Sequence, residues 1–529
     1  MTAPAHTLEP IAPWRAKLVV TARLLPFLAA ALVLAVGSVA IDGEGVGIMR
    51  DDSMYVVLAK SLATGRGFHW IHVPGAPAAT HFPPGYPAVL ALLWRLFPTF
   101  PANVIVFKLV NVLFSACAAF GLARLARARF GASERTAQAF ALVAMIGVPT
   151  LTLTLLVMSE PLFLALVVAA LLVAERVGDE RGTRLHELIA LGLLAGAATL
   201  VRTHGIALVA AIPIALGGQR RFRDAAVVAL SALVLLAPWQ LWIATQSGVV
   251  PPAMRGNYES YGGWLAPAFH DQGLPFLWHT AGRTTSELAV IFQHVVAPAM
   301  PASIRILGLV ALVALVVAGI PTAVKRAPMI ALFLALSWTL IIFIPYSPGR
   351  YAWSLWPVML FVPALGVRRL IEWRPTARAA RWARFATLGM AALITLGYGA
   401  YNVRGYVSRS WSTRWYGSYL HPLLVWVASH TTHDVVLASE AEGTVYLYTG
   451  RQTVPVGSAM ANDYFRSRTP REYADVVEQI VERYHPDAVI VRATFLRAAA
   501  RELATRQPPI LAVVDTFPGG GLVLVPTSR

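Results

Sequence analysis

Two adjacent carboxylates, Asp51 and Asp52, head the stretch of this sequence that is richest in groups able to do chemistry. The apolar residues that follow them up to Ala63 have helical spacing, which predicts an amphipathic helix that begins at the acidic pair. One carboxylate could cap this helix by accepting backbone N–H bonds. Alternatively, it is a general base that removes a proton from an acceptor hydroxyl or amine. The residues alone leave both interpretations open, and both can hold for neighbouring side chains.

Three further charged residues stand alone among apolar segments. Glu160 lies beside an apolar run, where a carboxylate is costly to bury and usually functional, although Ser159-Glu160-Pro161 also suits a helix start. Arg202 and Arg350 occupy otherwise uncharged turns. Each could extend to lipid headgroups or bind a phosphate through paired hydrogen bonds. Arg50, beside the acidic pair, is a third candidate for phosphate.

The composition shows that a membrane protein must position these groups. Of the 529 residues, 57% are hydrophobic and 13% charged, against roughly 25% charged in soluble proteins. The apolar residues form blocks near the ~20 residues that cross a bilayer as helix. The net charge of +17 comes from arginines between these blocks, which argues against nucleic acid. The eleven candidate spans are 22–41, 103–123, 136–156, 161–175, 187–201, 204–217, 224–243, 304–320, 328–345, 350–367 and 384–401.

Basic residues predict the orientation of these spans. Every second connection is rich in arginine or lysine, as at Arg220 and Arg221, and such connections lie in the cytoplasm. We therefore expect an uncleaved first span with the N-terminus inside and the C-terminus outside. Three large regions then fall outside, namely a first loop of residues 42–101, a second loop of residues 246–301 and a tail of residues 402–529. Catalysis needs polar groups at a water-accessible surface, so we expect the chemistry there.

The tail differs in composition from the rest of the chain. Short β-branched runs alternate with helix-like stretches, which predicts a small α/β domain over 402–529. The fold class is therefore mainly α: a polytopic bundle of about eleven spans in a transmembrane domain, 1–401, with juxtamembrane helices outside the cytoplasm. The predicted strands are Val435–Ala438, Val445–Tyr448, Ala488–Val491, Leu511–Val514 and Gly521–Val525, and the predicted helices are Pro470–Tyr484 and Phe495–Thr505.

Cofactor signals are weak. The histidines His69, His72 and His81 share the first loop, but their spacing fits no standard zinc signature, and we expect solvated loop residues. No cofactor is predicted, although a divalent cation is left open. The aromatic residues of the second loop, Tyr258 and Tyr261 among them, suit contact with sugar, lipid or the membrane interface.

Several motifs resemble the lipid-phosphate-sugar-dependent membrane glycosyltransferases. This is the GT-C superfamily of the protein O-mannosyltransferases and the bacterial aminoarabinose transferases. The resemblance covers most of the chain in order and topology, and the first loop is its distinctive part. The motifs are the acidic pair before Tyr55, the A-x-S-L-x-x-G-x-G stretch from Ala59, F-P-P-G-Y-P from Phe82, Met158–Phe163, and Pro348-Gly349-Arg350-Tyr351 with Trp356-Pro357.

The resemblance implies roles for individual residues. Asp51 would be the catalytic base, and Asp52 holds a partner position that is commonly glutamate in relatives, a departure that leaves open which carboxylate acts. Glu160 would orient the acceptor or a cation. The donor phosphate would be bound by Arg350 first, then by Arg202 or Arg50. The expected substrate loop comprises Tyr55, His81, Pro84, Tyr86 and Tyr351.

The implied function is inverting transfer of a hexosyl or pentosyl group from a polyprenyl-phosphate donor. The acceptor would be a lipid, glycan or protein outside the cytoplasm. The membrane would be the inner membrane of a bacterium. The partners are then donor, acceptor and membrane lipid, without nucleic acid. A transporter or flippase would place ionisable residues in mid-span and in paired broken helices. A non-catalytic envelope-assembly protein would leave the acidic loop without a role.

Overall fold

The computed structural model describes residues 24–527 except 42, 44, 181, 299, 373–375, 408–415, 459–460 and 518–519. Residues 22 and 23 of the first predicted span lie outside this part. In chain order the helices are α1 Leu28–Ala40, α2 Asp51–Ala63, α3 Gly85–Leu96, α4 Val104–Phe130, α5 Glu134–Ile146, α6 Val148–Thr154, α7 Glu160–Asp179, α8 Leu185–Val201, α9 Ile206–Gly218, α10 Phe222–Gln246, α11 Arg255–Tyr258, α12 Tyr261–Gln272, α13 Leu274–Val296, α14 Ala302–Arg326, α15 Pro328–Phe343, α16 Gly349–Met359, α17 Phe361–Glu372, α18 Ala377–Val407, α19 His421–His430, α20 Glu442–Thr449, α21 Pro470–Tyr484 and α22 Thr494–Thr505.

Within the described ranges, five helical segments are long and apolar enough to cross a membrane. They are α4, α7, α10, α14 and the continuous pair α16–α17. The pair α5–α6, bent by 66°, could form a sixth, and four shorter apolar segments contain α1, α8, α9 and α15. The bundle of apolar helices agrees with the predicted class, while the total of eleven spans stays a prediction. The bend divides the predicted span 136–156 at Gly147, two residues before Pro149 in the first turn of α6.

Small residues let these helices approach closely, as is common in membrane bundles. A Cβ atom at Gly366 of α17 would lie 2.0 Å from the carbonyl oxygen of Leu315 in α14. Gly319 of α14 makes the reciprocal contact, because its Cβ would lie 2.0 Å from the carbonyl oxygen of Val362. Backbone packs directly on backbone here, so neither position has room for a side chain.

A five-stranded sheet occupies the C-terminal part of the chain. Its strand order is β2-β1-β3-β5-β4, with β1 parallel to β2 and β3, and β5 antiparallel to β3 and β4. The alternation of strands and helices follows the predicted pattern. The strands are β1 Val436–Ser439, β2 Gln452–Pro455, β3 Ala488–Val491, β4 Leu511–Phe517 and β5 Gly521–Pro526.

One predicted strand of the tail is wrong. The run Val445–Tyr448 lies inside helix α20, which ends at Gly450 in the left-handed conformation. A short apolar run has no period that separates strand from helix, and its burial against α2 decides the outcome. The strand β2 at Gln452–Pro455 follows instead.

The C-terminal part packs on the first loop through α20. A Cβ atom at Gly443 would lie 2.9 Å from Ser53 Oγ, and one at Gly47 would lie 2.3 Å from Thr444 Oγ1. Gly47 also has φ +114°, a conformation that side-chain-bearing residues rarely adopt. The sheet segment is therefore in direct contact with the start of α2, where the acidic pair lies.

The backbone contact between α14 and α17 gives a stability prediction. Gly366→Ala forces a methyl group onto the Leu315 carbonyl and should lower stability by about 1–3 kcal/mol or more. Gly282→Ala in α13 is the matched control, since a Cβ there meets nothing within 4 Å and alanine favours helix. Unfolding in detergent measures both; equal stability of the two variants would contradict the close contact.

Candidate active site

A tight turn at Arg50 sets the direction of the acidic pair. Asp51 donates its backbone N–H to the Met49 carbonyl at 2.7 Å, and Arg50 between them has φ 60° and ψ −56°. This is the rare γ-turn with positive φ, which for a non-glycine residue costs on the order of 1–3 kcal/mol. Arg50 and Asp51 consequently contact different partners, although they are neighbours in the chain.

The two aspartates have different environments. Asp52 is buried, and its carboxylate accepts four backbone N–H bonds, from Gly47 and Ile48 on Oδ2 and from Met49 and Ser53 on Oδ1, at 2.9–3.3 Å. These four bonds fill the lone pairs of the group. Asp52 therefore closes the loop before α2, a structural role, and has no lone pair left to take a proton from an acceptor.

Arg350 bridges the carboxylates of Asp51 and Glu160. Its Nη1 donates to Asp51 Oδ2 at 2.7 Å, and its Nη2 and Nε donate to Glu160 Oε1 at 2.9 and 3.2 Å. Arg202 Nη1 lies 2.9 Å from the same Glu160 oxygen. Glu160 is 2% exposed, whereas Asp51 and Arg350 keep 29% and 27% of their side-chain surface. The open side of this four-residue cluster is therefore at Asp51 and Arg350.

Helix ends position the cluster. Asp51 begins α2, Glu160 begins α7, and Arg350 is the second residue of α16. Three helix N-termini thus converge on one point. The partial positive charge of each N-terminus stabilises the carboxylates and favours any further anion.

Ser159 links the cluster to the first loop. Its Oγ lies 3.0 Å from the Tyr55 hydroxyl and accepts a hydrogen bond of 3.0 Å from Arg202 Nη1. Tyr55 is buried, and burial, the largest effect, raises the pKa of its phenol to about 12. The hydroxyl is therefore a protonated hydrogen-bonding group that fixes Ser159 and, through it, Arg202.

The predicted substrate-loop residues Tyr86 and Pro84 serve packing. Tyr86 is buried and donates to Asn111 Oδ1 at 3.2 Å. Asn111 in turn donates to the Leu156 and Met158 carbonyls at 2.8 and 2.9 Å, which fixes the segment before Glu160. Pro84 precedes α3, where a Cβ on the next residue, Gly85, would lie 2.7 Å from the Leu200 carbonyl.

Aromatic rings surround the open side. Tyr351 packs near the Arg202 guanidinium, 5.7 Å from ring centroid to Cζ, and its hydroxyl lies 3.3 Å from that of Tyr261. His81 packs on the Tyr261 ring at 5.2 Å and donates from Nδ1 to the Glu259 carbonyl at 2.8 Å. Since that bond holds the proton on Nδ1, the neutral imidazole carries its lone pair on Nε2.

The electrostatics of the open side follow from burial and pairing. Burial acts to raise the pKa of Asp51, but the charge of Arg350 and its hydrogen bond outweigh it, so the pKa lies below the ordinary value. Burial lowers the pKa of His81, while the hydrogen bond to the Glu259 carbonyl and the charge of Asp51 raise it. Burial is the larger effect, so the pKa lies below the ordinary value for histidine. At neutral pH the site thus holds an ionised Asp51 and a neutral His81.

Arg50 belongs to a second cluster. It forms an ion pair with Glu442 of α20, which is buried. Tyr258 donates to Glu442 Oε1 at 3.0 Å, and its hydroxyl lies 3.0 Å from His72 Nε2. Arg50 was the third candidate for the donor phosphate; it lies in this second cluster, apart from the pairs of Arg350 and Arg202 with Glu160, and its role at the phosphate stays a prediction. His72 is fully buried, so its prediction as a solvated residue is wrong.

The sequence did not identify Ser159 as a hydrogen-bond acceptor for Arg202, and it did not identify Glu442 as a site residue. Ser159 was visible only as part of a helix start. Glu442 lies 392 residues from Arg50, and no local pattern connects them.

Among the described residues, no group of three or more histidine, cysteine, aspartate or glutamate side chains could hold a metal ion.

Two solved structures are similar to this chain. ArnT from Cupriavidus metallidurans bound to undecaprenyl phosphate aligns with a TM-score of 0.56 and 16% identity over 96% of this chain and 99% of that one. Apo ArnT from the same organism gives 0.47 and 17% over 96% and 98%. The first alignment shows a shared fold, in agreement with the architecture expected from the sequence. No family model and no curated protein matches the chain.

The cap formed by Asp52 predicts its effect on stability. Asp52→Ala leaves four backbone N–H groups without their acceptor and should cost about 3 kcal/mol or more. Asp51→Ala, which removes one partly exposed ion pair, should cost about 1 kcal/mol. Unfolding in mixed detergent micelles compares the two variants. A larger loss for Asp51→Ala would refute the assignment of the structural role to Asp52.

Proposed function

We propose that this chain is a membrane glycosyltransferase that moves a sugar from a polyprenyl-phosphate donor to an acceptor outside the cytoplasm. The observation that carries the proposal is the Asp51–Arg350–Glu160 cluster at three converging helix N-termini. It combines a carboxylate able to accept a proton with an anion-binding guanidinium on its open side.

The donor phosphate would bind at Arg350. The guanidinium already donates to two carboxylates, and a phosphate offers the same bidentate acceptor geometry. Arg202 adds a second positive charge behind Glu160. The helix N-termini favour the negative charge that grows on the phosphate as the glycosidic bond breaks. Guanidinium groups would thus stabilise the leaving group by charge-assisted hydrogen bonds, and a divalent cation stays open as a further source of positive charge.

In the proposed step, Asp51 takes a proton from the acceptor hydroxyl or amine. The freed lone pair forms a bond to the anomeric carbon while the bond from that carbon to the phosphate oxygen breaks. The electron pair of the broken bond remains on the phosphate, which Arg350 holds. A single displacement inverts the anomeric centre. Glu160, which shares Arg350 with Asp51, would orient the acceptor or a cation.

An apolar groove suits the lipid tail of the donor. It has a volume of about 590 Å³ and runs between α13, α14, α15 and the α16–α17 pair, lined by side chains such as Phe292, Val313 and Trp356. Trp356 stands on the same helix as Arg350, six residues further along, or about 9 Å. A phosphate on Arg350 would therefore have an apolar path for its tail close by.

The similar ArnT structure was solved with undecaprenyl phosphate, which supports a carrier lipid of this class for the present chain. We further propose a hexosyl or pentosyl donor and a lipid, glycan or protein acceptor at the inner membrane of a bacterium. The C-terminal sheet would then lie outside the cytoplasm, on the side of the acceptor.

Loss of the proposed base should abolish transfer. Asp51→Asn keeps the size of the side chain but removes the proton acceptor, and we expect the rate to fall roughly 10²–10⁴-fold. Asp271→Asn, an exposed aspartate of the second loop, is the control and should retain activity. The assay follows sugar transfer from a polyprenyl-phosphate donor by purified protein in lipid. Full activity of Asp51→Asn would show that Asp51 is not the base. If the wild-type protein transports solute but transfers no sugar, the alternative function as a transporter is favoured.

Arg350 should control both donor binding and the pH profile. Arg350→Lys retains charge but loses the planar fork, so the donor KM should rise roughly 10- to 100-fold.

In the free enzyme Arg350 holds the pKa of Asp51 low, and ionised Asp51 is lost only as pH falls through that pKa. A bound phosphate shares Arg350 and adds negative charge, which raises the pKa. The acid limb of kcat should therefore lie about one pH unit or more above that of kcat/KM in the wild type; coincident limbs would contradict the shared guanidinium.

A further inference from the structure

Glu442 connects three separate segments of the chain beside the proposed base. It begins α20 in the C-terminal part, pairs with Arg50 of the first loop and accepts a hydrogen bond from Tyr258 of the second. Because the Tyr258 proton is directed to Glu442, His72 Nε2 donates to the Tyr258 oxygen. Burial lowers the pKa of His72 to about 3, so the imidazole is neutral. Glu442 therefore meets a positive partner in Arg50 and a neutral one in Tyr258, and the His72 imidazole behind Tyr258 is neutral as well.

The position of Glu442 is fixed independently of its charge. Gly443 packs against Ser53, and Gly47 against Thr444, at distances that admit no side chain. Val46 also donates its backbone N–H to the Tyr448 hydroxyl at 3.1 Å. These contacts hold α20 on the first loop even when the Glu442 carboxylate is neutralised, so a variant at this position tests charge rather than attachment.

Arg50 occupies the strained turn directly before Asp51. Its Cα has positive φ, a conformation that persists only where surrounding contacts determine it. The ion pair with Glu442 is such a contact, whereas the next residue, Asp51, is paired with Arg350. One peptide unit joins the two residues, so the conformation of Arg50 also sets the direction in which the Asp51 side chain leaves the backbone.

We propose that Glu442, supplied by the C-terminal part, is a positioning residue for the catalytic carboxylate. It holds Arg50 in the strained turn and offsets the Arg50 charge, and so sets both the direction and the basicity of Asp51. The inference rests on the proposed function. It gives the C-terminal part a role in catalysis, because a side chain of α20 supports the turn that directs Asp51.

The charges around Asp51 determine how the test is read. The groups that interact with it electrostatically are Arg350 of α16, His81 of the first loop and Arg50, with the phenols of Tyr55 and Tyr346 nearby. Arg50 favours the ionised carboxylate. Removal of the Glu442 charge leaves the Arg50 charge less offset and should lower the pKa of Asp51. Removal of the Arg50 charge should raise it.

The experiment compares Glu442→Gln, Glu442→Asp and Arg50→Gln in the full-length protein, with transfer measured across the acid range. For Glu442→Gln we expect kcat to fall at least about tenfold with the donor KM nearly unchanged, since Asp51 is misdirected while Arg350 is intact. The acid limb of kcat/KM should move to lower pH in Glu442→Gln and to higher pH in Arg50→Gln. Glu442→Asp keeps the charge and should restore the limb.

Glu175→Gln is the matched control. Glu175 is an equally buried carboxylate, paired with Arg129 near the far end of α7, and its loss should reduce stability without moving the acid limb. The positioning role would be overturned if the acid limb of kcat/KM lay at the same pH in the wild type, Glu442→Gln and Arg50→Gln. A wild-type kcat for Glu442→Gln would overturn it as well. If Glu442→Gln does not fold, an unshifted limb in Arg50→Gln overturns it alone. Wild-type protein without any transfer would instead refute the proposed function.

Discussion

The site depends on one shared guanidinium, that of Arg350. Glu160 is buried at the end of a membrane helix, where an unpaired carboxylate costs several kcal/mol. Arg202 and Arg350 both donate to its Oε1, and Arg350 extends the pairing to Asp51. Two carboxylates and two guanidinium groups thus sum to zero charge. The same pairing that allows the helices α7 and α16 to meet in an apolar bundle also places the partly exposed Asp51 carboxylate beside the partly exposed Arg350 guanidinium.

Backbone geometry explains why the two neighbouring aspartates make different contacts. Asp52 takes four N–H bonds and closes the loop, while Asp51, one residue earlier, projects from the first turn of α2 toward Arg350. The strained turn at Arg50 sits at the point where these directions separate. The stability of the Asp52 cap offsets the cost of that turn, so Asp52 supports the conformation in which Asp51 reaches Arg350.

Charged residues isolated in apolar sequence were predictable, and distant partners were not. Glu160 and Arg350 stood out because membrane segments rarely keep a charge without a use, and Asp51 because it heads an acidic pair before an amphipathic helix. The structure brings all three together. The helix from Asp51 and the helix Pro470–Tyr484 followed from periodicity. Arg50 was assigned to the phosphate by adjacency alone, since its partner Glu442 is remote in sequence. The run Val445–Tyr448 became helix because packing on α2, not local preference, decides so short a segment.

In the proposed function, the pairing of Asp51 with Arg350 would also impose an order on ligand binding. While the guanidinium is bound to it, the Asp51 carboxylate has a lowered pKa and is a poor proton acceptor. A lipid phosphate at Arg350 would compete for the same donors and leave Asp51 with less positive charge beside it. The basicity of Asp51 would then rise. Under that proposal the acceptor would be activated after the donor is in place, which would tie proton removal to the presence of the leaving group.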